Sequence, residues 1–126
     1  MKIKVGEIQG LVEGLKSIIE EKLPAKASYW LARDASKLSR ELQTFEQTRL
    51  KIVEKYCKRD KKGEPIIDKE NNQYDMADMV AFQKEFRTIM DEEIEIDLKT
   101  IALSELGDVK IKPLDLIKLE KIIKEN

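Results

Sequence analysis

The spacing of apolar residues predicts two helices in the first half of the chain. Over residues 7–23 the apolar positions recur every three or four residues, as on one face of an amphipathic helix. Over residues 25–59 they alternate between spacings of four and three, as in a coiled-coil stripe. Neither Pro nor Gly interrupts residues 25–62, so we expect one helix on the order of 50 Å long. Its stripe consists of Leu31, Ala35, Leu38, Leu42, Phe45, Ile52 and Tyr56, with Arg49 as the one polar position.

The middle of the chain predicts a helix that runs back along the long one. Gly63 suits the left-handed turn after a helix end, and residues 65–67 and 73–74 are expected to form two very short strands. A second amphipathic pattern covers residues 76–93. Because the chain turns at Gly63, we expect this helix to lie antiparallel to the first. The facing residues should be Phe45 and Ile52 on the long helix, and Phe82, Phe86 and Ile89 on the returning one.

The last third of the chain predicts a small sheet. Apolar and charged residues alternate over residues 94–98, the pattern of a half-buried strand, and residues 109–111 are expected to pair with it across the turn at Gly107. Residues 1–5 are the expected third strand, since two strands alone are marginal in water. Pro113 is expected to open a terminal helix that covers the sheet. Its apolar side should carry Ile117 and Ile122.

Together these elements predict a single α+β domain over residues 1–126 that is mainly α. It should contain a long antiparallel helical hairpin, an N-terminal helix and a small C-terminal β-sheet. The returning helix reaches only about half of the long one, which leaves the stripe from Leu31 to Leu42 uncovered. We expect the N-terminal helix to cover that half, and a second subunit to do so otherwise.

Composition and charge restrict the kinds of partner that we expect. Charged residues make up 39% of the chain, and its formal net charge is −1. Residues 26–62 carry 11 basic and 5 acidic groups, whereas residues 63–108 carry 4 and 13. The acidic segment beside the basic helix would neutralise much of its field, so we expect no nucleic-acid partner. No apolar run reaches the length of a membrane span, so we expect no membrane contact.

Candidate chemistry is sparse in this sequence. The chain contains no His and a single Cys, Cys57, for which the sequence offers no ordinary base to activate a thiol. The acidic residues between Asp91 and Asp97 could offer oxygen ligands, but their alternation favours a solvated strand face. We therefore expect a non-enzymatic protein with no catalytic residue, no metal ligand, no cofactor and no small-molecule substrate.

The candidate contact residues lie at the start of the long helix. Tyr29 and Trp30 could form a hot spot for a partner protein, or Trp30 could pack the first helix onto the second. Any uncovered part of the apolar stripe would extend that surface, which adds Leu31 and Leu38 as candidates. The expected partner is another protein or a second copy of the chain, and a homo-oligomer is the favoured form.

Four segments in order resemble a group of small uncharacterised proteins encoded by tailed bacteriophages and prophages. They are Tyr-Trp-Leu-Ala-Arg at residues 29–33, Lys-Arg-Asp-Lys-Lys-Gly-Glu-Pro at 58–65, Glu-Ile-Glu-Ile-Asp-Leu at 93–98, and Leu-Ser-Glu-Leu at 103–106. The resemblance implies a viral structural or assembly protein in the bacterial host cytoplasm or the virion. An alternative role is a small inhibitor of a host enzyme or defence complex, which would bind through the acidic segment as a mimic of nucleic acid.

Overall fold

The computed structural model describes residues 1–125. It is mainly helical, with a long antiparallel helical hairpin, an N-terminal helix and small sheets, as the sequence predicts. The helices are α1 (Ile8–Ile19), α2 (Ala25–Tyr56), α3 (Met79–Met90) and α4 (Pro113–Lys118). The strands are β1 (Lys2–Lys4), β2 (Ile67–Asp68), β3 (Gln73–Tyr74), β4 (Glu93–Glu95), β5 (Ile101–Ala102) and β6 (Ile123–Lys124).

The long helix α2 is the element on which the others pack. Its 32 residues span about 48 Å. It begins directly after Pro24, whose extended backbone (ψ 145°) cannot continue a helix from α1. It ends at Tyr56, three residues before the predicted end, and at Cys57 the backbone turns extended and forms a bridge with Met76.

A tight turn and a two-strand hairpin connect α2 to α3. Gly63 has a φ of +82°, the left-handed conformation that favours glycine. The strands β2 and β3 then pair antiparallel, and α3 begins at Asp78, whose carboxylate accepts a hydrogen bond of 3.0 Å from the Ala81 N–H. The hairpin therefore sits at the junction of the two helices and closes the space between their adjoining ends.

Aromatic rings and one polar cluster join α3 to the second half of α2. The rings of Phe45 and Phe86 lie 5.7 Å apart between centroids, and Phe86 stacks on Phe82 at 5.8 Å. The Glu85 carboxylate accepts hydrogen bonds from Tyr56 at 2.6 Å and from Lys55 at 3.2 Å. These contacts confirm the predicted pairing of the two helices.

The main core lies around the first half of α2, where α1 covers the apolar stripe. Leu31 and Leu38 are fully buried there in one cluster with the apolar face of α1. Close approach of the C-terminal segment to α1 depends on Gly14, since a Cβ at that position would lie 2.9 Å from the Leu119 side chain. The largest fully buried side chains of this core are Ile3, Ile8, Leu15, Ile18, Leu31, Leu38, Ile101, Leu106, Leu119 and Ile122.

The strands among residues 1–125 form three separate two-stranded ladders. The β2–β3 hairpin lies at the two predicted short strands, whereas the single C-terminal sheet that the sequence predicts is divided into two ladders. β1 pairs antiparallel with β4, with Ile3 opposite Ile94. The predicted strand at residues 109–111 is wrong, because β5 pairs in parallel with β6. The Lys112 carbonyl instead accepts the first hydrogen bonds of α4, from the Asp115 and Leu116 N–H groups. This stretch therefore leads into a helix. So short an alternation of apolar and charged residues does not distinguish that role from a strand.

The terminal helix is shorter than the sequence predicts. α4 ends at Lys118, and the chain after it turns back so that Leu119, Ile122 and Ile123 are buried. Ile122 is fully buried as expected, but Ile117 is 65% exposed. The prediction that Ile117 lies on the apolar side is wrong. α4 ends one residue after Ile117, so the helical spacing on which the prediction depends does not continue.

Candidate protein-contact surface

The predicted contact pair lies at the N-terminal end of α2. Tyr29 is 56% exposed, and its hydroxyl accepts a hydrogen bond from Arg33. Trp30 is half-buried against the core, with the cations of Arg33 and Lys99 at 5.6 Å and 5.4 Å from its ring. Because packing and intramolecular cations already cover much of Trp30, only the edge at Tyr29 is open to a partner. Their role in binding another protein stays a prediction.

Leu31 and Leu38 cannot take part in such a contact. Both have no exposed surface and lie within the core cluster that includes α1. Their assignment as contact residues is therefore wrong. The assignment depended on the N-terminal helix leaving this half of the stripe uncovered. In the structure that helix covers it.

Besides Leu114 and Ile117 on α4, a group of exposed apolar side chains lies at the opposite end of α2. α3 is amphipathic, yet none of its twelve residues is buried. Met79 is 49% exposed and Tyr74, on the preceding strand, is 38% exposed. On α2, Leu50 is 44% exposed. The hairpin end of the molecule is thus two elements thick, with no third layer in the described part of the chain.

A groove of about 380 Å³ runs between α2 and α3 on this side. Its floor is apolar and aromatic, and the β2–β3 hairpin closes one end. Arg49 lines it as the one charged residue, and its guanidinium pairs with Glu46 at 3.0 Å. The complete lining consists of Arg49, Val53, Asn72, Gln73, Tyr74, Met76, Met79, Phe82 and Phe86. We call this surface the hairpin groove.

A cluster of polar groups joins α3 to the end of α2 at Glu85. The hydrogen bond from Tyr56, followed by that from Lys55, lowers the pKa of Glu85. The same contacts with Glu85 raise the pKa of Lys55 and of Tyr56. These opposite pKa shifts arise because both hydrogen bonds favour the charged carboxylate of Glu85. They indicate that the cluster holds α2 and α3 together.

The described residues present little chemistry beyond these contacts. Among residues 1–125 no three His, Cys, Asp or Glu side chains lie close enough to hold a metal ion. Cys57 is buried, and its thiol contacts the Glu54 carbonyl at 3.6 Å. Within the same range, every helix is too short or too polar to cross a lipid bilayer.

The sequence analysis assigned no role to two charged residues of α2, Arg49 at the hairpin groove and the buried Asp34, although each left a signal. Arg49 interrupts the apolar stripe, and it does so at the position where the stripe leaves the core and meets the hairpin groove. Asp34 lies between Leu31 and Leu38 on the buried face of α2 and is 1% exposed. A charged residue one turn from two core leucines is the signal that could have found it.

Comparisons of the chain with protein-family models, with curated proteins and with solved structures found no match.

Proposed function

We propose that the protein is non-enzymatic and works through protein–protein contacts, with the hairpin groove as its principal contact surface and a second copy of the chain as its occupant. The observation that carries the proposal is α3: an amphipathic helix of twelve residues without a buried residue. α3 packs on α2 and, at Met90, against Gly6, but its apolar side chains stay partly exposed, and a further layer over them adds stability.

A second copy of the chain fits as the occupant because the exposed side chain of Leu50 and the groove lie on the same surface. Leu50 projects from α2 one turn before Val53, which lines the groove. In a two-fold dimer the same patch meets itself, so Leu50 of each copy can enter the groove of the other. This self-complementarity needs no segment outside the patch.

Charge also permits two copies to meet. The cation that lines the groove, Arg49, is paired with Glu46 on the same helix, so this pair adds no net charge to the contact. Like charges across an interface are strongly unfavourable, and the pairing of Arg49 lowers that cost for a self-contact, although the exposed Lys51 lies beside Leu50. A stable dimer takes roughly 800 Å² from each partner. That area is under a tenth of the accessible surface of 9044 Å².

We place this contact in a viral structural or assembly role in the bacterial host cytoplasm or the virion, as the resemblance of the sequence implies. The alternative role, an inhibitor that binds through its acidic segment, has less support. Three acids of that segment already pair within the chain: Glu85 with Lys55, Glu95 with the N-terminal ammonium, and Asp97 with Lys37. These contacts reduce the negative field that such a mimic needs.

The solution mass tests the self-contact, and two leucine variants locate it. Sedimentation equilibrium of the wild type should give a dimer with a concentration-dependent monomer fraction. Leu50→Glu should shift the protein to monomer, because it places a carboxylate in the apolar contact. Leu103→Glu is the matched control, since Leu103 is 41% exposed but lies in another part of the fold, and it should keep the wild-type mass.

A wild type that stays monomeric at millimolar concentration would rule out the second copy as occupant. Equal loss of association in both leucine variants would contradict the groove as its location. A tight, salt-sensitive complex with one nucleic-acid-binding host protein would support the inhibitor role instead.

A further inference from the structure

Asp34 is buried without enough partners for its charge. One oxygen, Oδ1, accepts a hydrogen bond of 2.9 Å from the Lys99 N–H. The other, Oδ2, has no hydrogen-bond partner among residues 1–125. The second buried acid, Asp115, differs because Ser17 donates a hydrogen bond of 2.8 Å to its Oδ2. A buried polar atom with no partner is uncommon in native folds and calls for an explanation.

Beside Asp34, a small pocket separates α2 from the segment that follows β4. Its volume is about 200 Å³, and Trp30 forms one wall. Residues 97–99 form the other side, and two polar contacts join them to α2: the Lys99 N–H on Asp34, and Lys37 Nζ on the Asp97 carbonyl at 2.7 Å. Between them, the Leu98 side chain is 8% exposed and belongs to the main core. We call residues 97–99 the strap.

We propose that Asp34 is a protonation-dependent latch: the neutral carboxyl holds the strap against α2, and ionisation of the carboxyl shifts the population towards a form in which the strap has lifted and the pocket is open to water. The inference goes beyond the proposed function, since Asp34 is not part of the hairpin groove. We call the two forms closed and open.

The cost of a buried charge sets the direction of this shift. Loss of solvation raises the pKa of Asp34, while the Lys99 N–H and the charges of Lys37 and Arg33 act in the opposite direction, and Asp97 raises it further. Burial dominates, so the closed form binds the proton more tightly than a solvated aspartate does. Closed protein is therefore favoured at low pH and loses that advantage as the pH rises through the raised pKa.

Lys37 gives the open form a partner for the ionised carboxylate. In the closed form its ammonium donates to the strap at the Asp97 carbonyl. Lys37 follows Asp34 by three residues on α2, a spacing at which an acid and a base on a helix can pair. When the strap lifts, Lys37 can turn from Asp97 to Oδ2, so both hydrogen bonds between the strap backbone and α2 are lost together. This exchange of partners makes two discrete arrangements.

Trp30 reports on the latch directly. It is the single Trp of the chain, and the Lys99 ammonium lies 5.4 Å from its ring in the closed form. Lifting the strap removes that cation and admits solvent to the indole. Quenching of Trp fluorescence by acrylamide, a neutral quencher, therefore measures the open population without interference from nearby charges.

The experiment is a pH series of this quenching from about pH 3 to about pH 8 on the folded full chain. We expect the quenching constant to rise with pH, with its midpoint above the ordinary aspartate value of about 3.9. The amide resonance of Lys99, followed by NMR, should titrate with the same midpoint. Each unit by which the pKa in the closed form exceeds that in the open form changes the ratio of the two forms tenfold.

Two variants assign the effect to Asp34. Asp34→Asn keeps an acceptor for the Lys99 N–H but cannot ionise, so its quenching constant should be low and independent of pH. Asp108→Asn removes an exposed aspartate outside the pocket and should keep the wild-type profile. A flat wild-type profile, or an unchanged pH dependence in Asp34→Asn, would overturn the proposal. If Asp34→Asn fails to fold, the wild-type Lys99 amide decides alone: a resonance that does not titrate overturns it.

Discussion

The ring of Phe45 on α2 lies 5.7 Å from the ring of Phe86 on α3, tilted by 44°. This pair connects the long helix to the returning one at the point where the main core ends. Phe45 is 9% exposed, whereas Phe86 is half-buried and borders the hairpin groove. One ring thus belongs to the interior and the other to the surface that the dimer would cover.

Truncation of the two rings should therefore have unequal effects. Phe45→Ala should lower the free energy of unfolding by about 3 kcal/mol, since it leaves a cavity between the helices. Phe86→Ala should cost about half as much, because the ring is only half-buried. Urea unfolding followed by circular dichroism measures both. The double variant should reveal a coupling of roughly 0.5–1.5 kcal/mol between the rings, and strict additivity would contradict their contact.

Glu85 should make stability depend on pH. Its pKa is lowered in the folded protein by the Tyr56 and Lys55 hydrogen bonds, so its contribution is present above the unfolded pKa. That contribution is lost as the pH falls through the lowered, folded value. Glu85→Gln should reduce the urea midpoint at pH 7, and the difference from the wild type should shrink as the pH falls through the lowered pKa of Glu85. Glu92→Gln, at an exposed glutamate, is the control; an equal loss in both variants would contradict a specific role of Glu85.

The glycines of α1 should respond in opposite directions to the same substitution. Gly14→Ala places a Cβ 2.9 Å from Leu119, which is fully buried and cannot move away, so we expect a loss of about 1–3 kcal/mol. Gly10→Ala meets nothing within 4 Å and should gain up to about 1 kcal/mol from helix propensity. Thermal unfolding of the two variants makes the comparison. A stabilising Gly14→Ala would show that α4 does not approach α1 this closely.

Truncation of two isoleucines near the C-terminus should also have unequal effects on stability. Ile122→Ala removes a fully buried side chain and should cost about 2–5 kcal/mol. Ile117→Ala changes a side chain that is 65% exposed and should alter stability by less than about 0.5 kcal/mol. Urea unfolding of both variants checks the observed turn after α4, which buries Ile122 and leaves Ile117 exposed. An equal loss of stability in the two variants would contradict that turn.

The sequence predicts the helices well because their apolar spacing is long enough to fix the period. The stripe on α2 continues for about seven turns, and its facing residues on α3 follow from the turn at Gly63. The strands are harder. β5 and β6 contain two residues each, too few for any alternation to show, and their parallel pairing joins positions about twenty residues apart. Local pattern carries no information on such a partner.

The candidate surface could be predicted only in part for a related reason. Sequence spacing shows that Leu31 and Leu38 are apolar and share a helix face, but not which element covers them. The choice between α1 and a second subunit depends on tertiary packing. The same limit applies to Tyr74, since its place beside Arg49 in the hairpin groove depends on how the β2–β3 hairpin folds back.

The unequal cover along α2 has a consequence for how the protein opens. The free energy of local opening follows the number of buried apolar contacts, so amide hydrogens near Leu38 should exchange with solvent only on global unfolding. Those near Leu50 should exchange through a smaller, local event in which α3 and the hairpin detach while the core stays intact. One continuous helix therefore belongs to two cooperative units. Binding of a partner in the hairpin groove should first slow amide hydrogen exchange at the Leu50 end of α2, before it changes the global melting temperature.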